Sequence, residues 1–378
     1  RGLGDVYKRQ RDKRAAIGCP FLCAAHRAPN GTTGHAMATM KDVARRAGVS
    51  TATVSRVINN TAYVEPVTRE RVEKAMREFN YHRNAAALAL AKRSGNMLGL
   101  LTGNLDDPFF SRLARGVEDI TRQAGVRLML CSGGHQAELE KSGLDFLINQ
   151  GCEAIVAHVT RMGEEELLRY AAHTPALVLI NRYLPAIANR CIWLDNANAA
   201  QTATKLLIRQ GHRRIACVTT DLPIDDRAQR LAGYRQAMAA GGIEVPGSWI
   251  ISVPFNERGG ELAAERVLAS DQRFTAAVTF NDVMAAGMMR TCHQRQVQLP
   301  EALSIVGFDD IALAKYLHPA LTTVHYPIEK MARRAARLAL QIHSGSDVAP
   351  QNNRFSAELI LRDSVADGER TEQSKRGE

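Results

Sequence analysis

The stretch Met40–Asn60, MKDVARRAGVSTATVSRVINN, constrains this chain more than any other, because it encodes two short helices joined by a tight turn. Thr39 can cap the first helix, and Asp42 follows within its first turn, where a carboxylate favours a helix N-terminus. Val43, Ala44 and Ala47 give that helix one apolar stripe. Gly48 permits a sharp turn, and Ser50 is placed to cap a second helix running from Thr51 to about Asn59. In the second helix Val54, Val57 and Ile58 face inward, leaving Thr51, Ala52, Ser55, Arg56 and Asn59 outside. Small side chains, hydroxyls, one Arg and one Asn on an exposed face suit an element that lies in a DNA major groove. A third helix is expected next, capped by Thr68 and burying Val72, Ala75, Met76 and Phe79. A plain three-helix bundle would need the apolar stripes but not the turn and both caps together.

The charge distribution points the same way. Residues 1–36 hold seven Lys/Arg against two Asp/Glu, and residues 37–96 hold eleven against five. The remaining residues hold 31 against 32, so the net charge of +10 is confined to the front of the chain. A basic helical headpiece on a neutral body is an electrostatic footprint for phosphates attached to something else. A hydrophobic content of 45% and a charged content of 23% are those of an ordinary globular protein. No apolar run approaches the length of a membrane span.

Residues 1–36 show no periodicity and precede Met37, which would open the helical module. We read them as a non-native or disordered extension, with a basic arm touching DNA as the alternative. The apolar stretch Ile17–Ala25 is short and broken by Gly18 and Pro20, unlike a signal peptide. The seven cysteines, at 19, 23, 131, 152, 191, 217 and 292, form no metal-ligand spacing. Buried free thiols, no metal, no cofactor and a reducing, cytoplasmic compartment are the expectation.

From Met97 the pattern becomes short apolar runs alternating with amphipathic helices. The runs are Met97–Thr102, Arg127–Cys131, Ala154–His158, Ala176–Ile180, Ile192–Leu194, Arg214–Thr219, Trp249–Val253, Ala276–Phe280 and Ser304–Phe308. Between them lie helical stretches such as Phe110–Ala124, Asn198–Gln210, Gln229–Ala240 and Gly260–Ala269. This alternation predicts parallel, doubly wound sheets, and their number divides better between two sheets than one. A ligand would sit outside the carboxyl ends of the strands, in a crevice between two lobes. Polar residues recur at those ends: Asp106 and Asp107 ahead of Pro108-Phe109-Phe110, His158, Asn181 with Arg182, Asp195, Asn281 with Asp282, and Asp309 with Asp310. Each alone could be a loop cap. Together they suit a cleft that holds a neutral polyol by hydrogen bonds.

On DVARRAGVSTATVSRVIN the headpiece strongly resembles the lac repressor family of bacterial transcription regulators. The resemblance continues to about residue 364 through VLINR, GHRRIACV, RLAGY, FNDVMAAG, SIVGFDD and LTTVHYP, and is greatest to the family's galactose-type subgroup. It implies an N-terminal all-α helix-turn-helix headpiece followed by an α/β two-lobed, periplasmic-binding-protein-like core of two parallel doubly wound sheets. The implied domains are the headpiece at 37–82, a hinge helix and linker at 83–96, the effector-binding and dimerisation core at 97–364, and a disordered tail at 365–378. That tail carries no leucine heptad of the kind that makes lac-type tetramers, so a homodimer is expected.

The resemblance places Thr51, Ala52, Ser55 and Arg56 on the recognition helix, with Thr53 and Asn59 as backbone-side contacts. Asn84–Ala91 matches the hinge helix, and Leu90 falls where the family inserts a leucine into the minor groove. Arg83 departs from the proline often found before the hinge, which loosens the start of that helix, although an Arg there could gain a phosphate contact. In the core, the implied effector contacts are Phe109 or Phe110, His158, Asn181, Asp195, Arg230, Phe255, Asn281 and Asp309. The partners implied are double-stranded operator DNA, a small sugar such as D-galactose, and a second copy of the chain.

A transport-type solute-binding protein shares the two-lobed fold, but the basic helical headpiece argues against it. No Gly-rich phosphate loop, nucleophile elbow or defensible pair of catalytic carboxylates is present, so an enzyme is not expected. The adjacent Asp pairs at 106–107, 225–226 and 309–310 would point to opposite sides of an extended backbone.

Overall fold

The structure, a computed structural model, describes residues 39–59, 62–79, 96–346 and 352–368. These residues fall into two compact units, one within residues 1–88 and the other within 89–378. In the first unit, α1 (Met40–Ala47), α2 (Thr51–Asn59) and α3 (Pro66–Glu78) enclose Val43, Ala44, Ala47, Val54, Val57, Val72 and Ala75. Val43, Val54 and Val72 have no exposed surface, and burying each contributes about 2 kcal/mol. The Asp42 carboxylate accepts from the Thr39 amide at 2.9 Å and the Thr39 hydroxyl at 2.6 Å, which holds its pKa below the usual carboxylate value. Gly48, at φ 65°, takes the left-handed conformation that ends α1, and its N–H returns to the Arg45 carbonyl. Ser50 Oγ then accepts from the Thr53 amide at 3.1 Å and caps α2.

The third helix differs from the sequence expectation at both ends. It begins at Pro66, whose ring fits a first helical position, so Thr68 lies inside the first turn and caps nothing. At the other end Phe79 is 40% exposed, because the helix stops at Glu78 before that ring reaches the core.

The second unit is built on two six-stranded sheets. The first contains β1 (Met97–Thr102), β2 (Arg127–Ser132), β3 (Ala154–Ala157), β4 (Ala176–Ile180), β5 (Cys191–Leu194) and, at its edge, β11 (Arg354–Phe355), in the order β11-β5-β4-β3-β1-β2. The second contains β6 (Ile215–Thr220), β7 (Ile250–Val253), β8 (Ala276–Thr279), β9 (Ser304–Asp309), β10 (Thr322–His325) and β12 (Glu358–Ile360), ordered β12-β10-β9-β8-β6-β7. Every pairing is parallel except β10 with β12.

The helices of the first lobe are α4 (Pro108–Gln123), α5 (Ala137–Asn149), α6 (Glu164–His173) and α11 (Ile328–His343). Those of the second are α7 (Asn196–Arg209), α8 (Asp225–Ala240), α9 (Glu257–Leu268) and α10 (Asp282–Gln294). Because α11 packs on α4, β3 and β4, the chain passes between lobes after β5, after β10 and between β11 and β12. The strand runs legible in the sequence match β1 to β9 within a residue or two. The last three strands leave no such run in the sequence. β10 carries Thr322, Thr323 and His325 rather than an apolar run, and β11 and β12 are too short to show a pattern. Among the described residues no helix is long and apolar enough to cross a membrane.

Candidate functional site

On α2 the side chains of Thr51, Ala52 and Arg56 are exposed, and those of Thr53 and Ser55 are half-buried. The Thr53 hydroxyl lies 2.9 Å from Ser50 Oγ, so it is shared with the cap. Asn59 closes the helix. Arg46 on α1 and Glu78 on α3 pair at 2.7 Å, tying the third helix to the first. Being partly exposed, that pair contributes at most about 1 kcal/mol. Arg83, Asn84 and Leu90, with the expected hinge segment Asn84–Ala91, lie outside the described residues.

In the second unit the carboxyl ends of both sheets face one cleft. The first lobe contributes Asp107, Phe109, Phe110, His135, His158, Thr160 and Asn181, and the second contributes Ile224, Asp226, Arg230, Phe255, Phe280, Asn281 and Asp309. Several of these positions follow from local structure. Asp107 caps α4 by accepting from the Phe109 amide at 2.8 Å, which presents Phe109 and Phe110 on the first turn. Asn281 caps α10 through the Met284 amide at 2.9 Å, and its amide nitrogen reaches the Phe255 carbonyl at 3.4 Å. The capping and cleft-lining readings of such residues therefore coexist. His135, Asn181 and Asp309 hold φ of 55°, 59° and 110°, a region that side chains other than glycine rarely adopt. Backbone strain of this sort is retained where the surroundings fix it and clusters at binding sites.

Arg230 organises the second lobe's wall. Its guanidinium carbon stacks 3.6 Å from the Phe308 ring centroid and 4.5 Å from that of Phe280. Nε donates to Asn196 Oδ1 at 2.9 Å and Nη1 donates to the Phe280 carbonyl. Nη2 lies 3.7 Å from Asp226 and 4.0 Å from Asp309. Burial pushes the Asp226 carboxyl up and the Asp309 carboxyl well above the usual range, with Arg230 opposing both shifts. Burial also raises Asp107. With Asp226 and Asp309 both beside it, the one guanidinium has little charge left for an anionic ligand, whereas a neutral polyol can use the polar groups of this wall.

The opposite wall is aromatic. Phe110 lies 5.0 Å from His158 and 5.6 Å from His135, and Phe255 reaches across from the second lobe to 5.0 Å from His135. Both imidazoles are held neutral by burial, which lowers the His135 pKa and drives His158 down to about 3. His135 Nε2 and His158 Nδ1 are buried without a hydrogen-bond partner. Flat apolar faces beside polar groups with spare capacity are what a sugar ring requires.

The sequence pattern of the bacterial regulatory proteins of the lacI family matches residues 39–84, and that of the periplasmic binding protein-like domain matches residues 204–365. Over 330 residues the chain is 40% identical to the HTH-type transcriptional regulator GalR of Escherichia coli (strain K12), covering 87% of this chain and 96% of that protein. The chain belongs to the lacI family. It is 39% identical over 330 residues to the HTH-type transcriptional regulator GalS of Salmonella typhimurium, covering 87% and 97% of the two chains. A crystal structure of a sugar-binding LacI-family transcriptional regulator from Escherichia coli, complexed with phosphate, superposes with a TM-score of 0.65 at 32% identity. That match covers 72% of this chain and 99% of the other. As a lacI-family protein the chain is a DNA-binding transcriptional regulator and not an enzyme, and the transport-type alternative falls with that assignment.

Of the effector contacts expected from sequence, the structure of this lacI-family core brings Phe109, Phe110, His158, Asn181, Arg230, Phe255, Asn281 and Asp309 to one cleft. Asp195 is placed elsewhere. It caps α7 through the Asn198 amide at 3.2 Å, and its other oxygen pairs with Arg354 on β11, so it is not among the lining residues. The neighbouring Asn196 reaches Arg230 in its stead. The sequence marks Asp226 only as half of an adjacent pair. Because 225–226 open a helix rather than a strand, Asp225 meets Arg182 at 3.3 Å while Asp226 enters the cleft. The sequence does not mark His135 and Thr160, since each lies some residues beyond the end of the apolar run before it rather than at that end.

Proposed function

We propose that this chain is a sugar-responsive repressor that binds a palindromic operator as a homodimer and is released by a small neutral sugar, D-galactose or a close relative. The observation that carries the reading is the cleft: the carboxyl groups of Asp107, Asp226 and Asp309, one guanidinium, and aromatic faces from both lobes line a single space. Likeness to proteins named GalR and GalS favours galactose among neutral sugars. In this reading Arg230, Asn181, Asn281 and Asp309 hydrogen-bond the sugar, and Phe109, Phe110, His158 and Phe255 flank it. Thr51, Ala52, Ser55 and Arg56 read base edges, with Thr53 and Asn59 toward the backbone. Asn84 belongs to the hinge segment, and Leu90 acts as the apolar wedge in the minor groove. Sugar binding changes the angle between lobes and weakens the operator complex, a coupling of about 1–3 kcal/mol between two sites. The work takes place on the nucleoid, in the cytoplasm.

Fluorescence anisotropy with a palindromic operator carrying a central CG step, at fixed salt, tests this directly. Tight binding relieved by D-galactose is the expected result. Operator binding indifferent to galactose would sink the effector assignment, and no preference over random DNA would sink the repressor reading.

A further inference from the structure

We propose that His135 is a fixed hydrogen-bond acceptor in the cleft wall, its tautomer set by a buried relay through Thr160 to Glu140, and that it selects effectors presenting a hydroxyl donor there. The ligand half of this proposal rests on the sugar-responsive reading above, and the relay half does not.

The argument is one of proton counting. Glu140 on α5 is only 1% exposed. Its carboxylate accepts from the Thr160 amide at 2.8 Å, the Thr160 hydroxyl at 2.9 Å, the Arg161 amide at 2.9 Å and the Met162 amide at 2.9 Å. A carboxylate surrounded by donors only accepts, so the single hydroxyl proton of Thr160 is committed to it. Thr160 Oγ1 also lies 3.1 Å from His135 Nδ1. With its proton spent, that oxygen can only accept, and Nδ1 must carry the hydrogen. Burial keeps the ring neutral. The second ring nitrogen, Nε2, is therefore a bare lone pair, and it is the atom left buried and unpartnered.

The surroundings hold this acceptor in place. His135 sits at φ 55°, with the Gln136 amide closing a turn onto the Gly133 carbonyl at 3.0 Å. A Cβ on Gly103 would stand 2.9 Å from Nε2 and collide with the Phe110 ring, so glycine there leaves both rings their positions. Phe255 packs edge-on from the opposite lobe. Nε2 is enclosed beside the Phe110 ring, so a ligand meets it only when the neighbouring rings part; a sugar hydroxyl that does so satisfies it, whereas an ionised acid or phosphate oxygen has no hydrogen to give and would meet a lone pair. The selection is thus for a neutral hydroxyl donor, independent of the charge balance around Arg230.

Two-bond nitrogen–proton correlation spectra of the full chain labelled with ¹⁵N-histidine read the tautomer, with His135→Gln identifying its signals. An Nδ1–H pattern for His135 is expected in the parent, shifting toward a mixed pattern in Thr160→Val. Calorimetry with D-galactose is expected to show about a tenfold loss in His135→Phe, with partial recovery in His135→Gln, whose amide oxygen can accept. An Nε2–H tautomer in the parent, or a His135→Phe protein that binds galactose like the parent, overturns the proposal. A parent that ignores galactose rejects the sugar reading instead, and the tautomer spectrum alone then decides for or against the relay.

Discussion

The carboxamide nitrogen of Asn181 donates to the carboxylate of Asp226 at 2.7 Å, joining the end of β4 in one lobe to the first turn of α8 in the other. The same carboxamide's oxygen accepts from the Tyr326 hydroxyl, on the segment that returns the chain to the first lobe. Arg182 meets Asp225 at 3.3 Å and Arg161 donates to the Pro223 carbonyl at 2.8 Å, so residues 223–226 are held from across the cleft at several points. Since α8 also carries Arg230, a ligand at Arg230 acts on the element that these contacts position.

Replacing Asp226 with Ala should therefore loosen the hold of one lobe on the other. The hydrogen bond to Asn181 is lost together with part of the compensation for Arg230, a cost of about 1–3 kcal/mol. Small-angle scattering of the ligand-free protein is expected to show a larger radius of gyration than the parent. An unchanged scattering profile would mean that Asn181–Asp226 does not set the lobe angle.

Arg230→Ala should abolish the galactose response while leaving operator affinity within about threefold of the parent, because Arg230 is in a different unit from the headpiece. Stability should fall by about 2 kcal/mol, as Asn196 Oδ1 and the Phe280 carbonyl lose their donor and the ring stacking on Phe308 is lost. Parallel gel-shift and thermal-melt titrations check both parts, and retention of the galactose response would remove Arg230 from the effector site.

Glu140→Gln places an NH₂ group among amide and hydroxyl donors that already point at the carboxylate. The mismatch should cost about 2–4 kcal/mol and lower the melting temperature by about 5–10 °C in a core of this size. A melt within 2 °C or so of the parent would show that the loop at 160–162 is held by something else.

His158 supplies a pH signature. Burial depresses its folded pKa from the ordinary 6.5 to about 3, so its neutral ring supports folding fully above pH 6.5 and loses that contribution as pH falls toward 3. Asp282, pushed up to about 7 by burial, works in the opposite sense, supporting folding below its unfolded value near 3.8 and fading as pH rises to 7. Comparing parent with His158→Phe isolates the histidine. Between pH 6.5 and 5 the parent should lose about 2 kcal/mol more than the variant, at about 1.4 kcal/mol per pH unit. Equal losses in denaturant titrations at the two pH values would show that His158 is not a buried neutral ring.

On the DNA side, Arg56→Ala should weaken specific operator binding by about 1–3 kcal/mol and random-sequence binding far less, as for a side chain on a base edge. A uniform loss on both DNAs, with the salt slope reduced by about one, would instead make Arg56 a phosphate contact.

The headpiece was legible in the sequence because its determinants are local. Thr39 with Asp42, Gly48 and Ser50 act within one helical turn of themselves, so caps, turn and apolar stripe can be read from neighbours alone. The same holds for β1 to β9, whose apolar runs are set by period and composition and are buried in most of them, and for Asn281 and Asp107, which cap the helices that follow them. Tertiary structure decided the rest. Asp195 left the cleft because β11, arriving from residue 354, brought Arg354 to it. Asp226 entered the cleft because the helix begins at Asp225, so the two adjacent carboxylates diverge by about 100° around its axis and only the second faces the cleft. His135, Thr160 and Glu140 are separated by up to 25 residues and carry no spacing that marks them. What makes them a unit is the proton order of a buried hydrogen-bond chain, which exists only once α5 and the end of β3 are packed together.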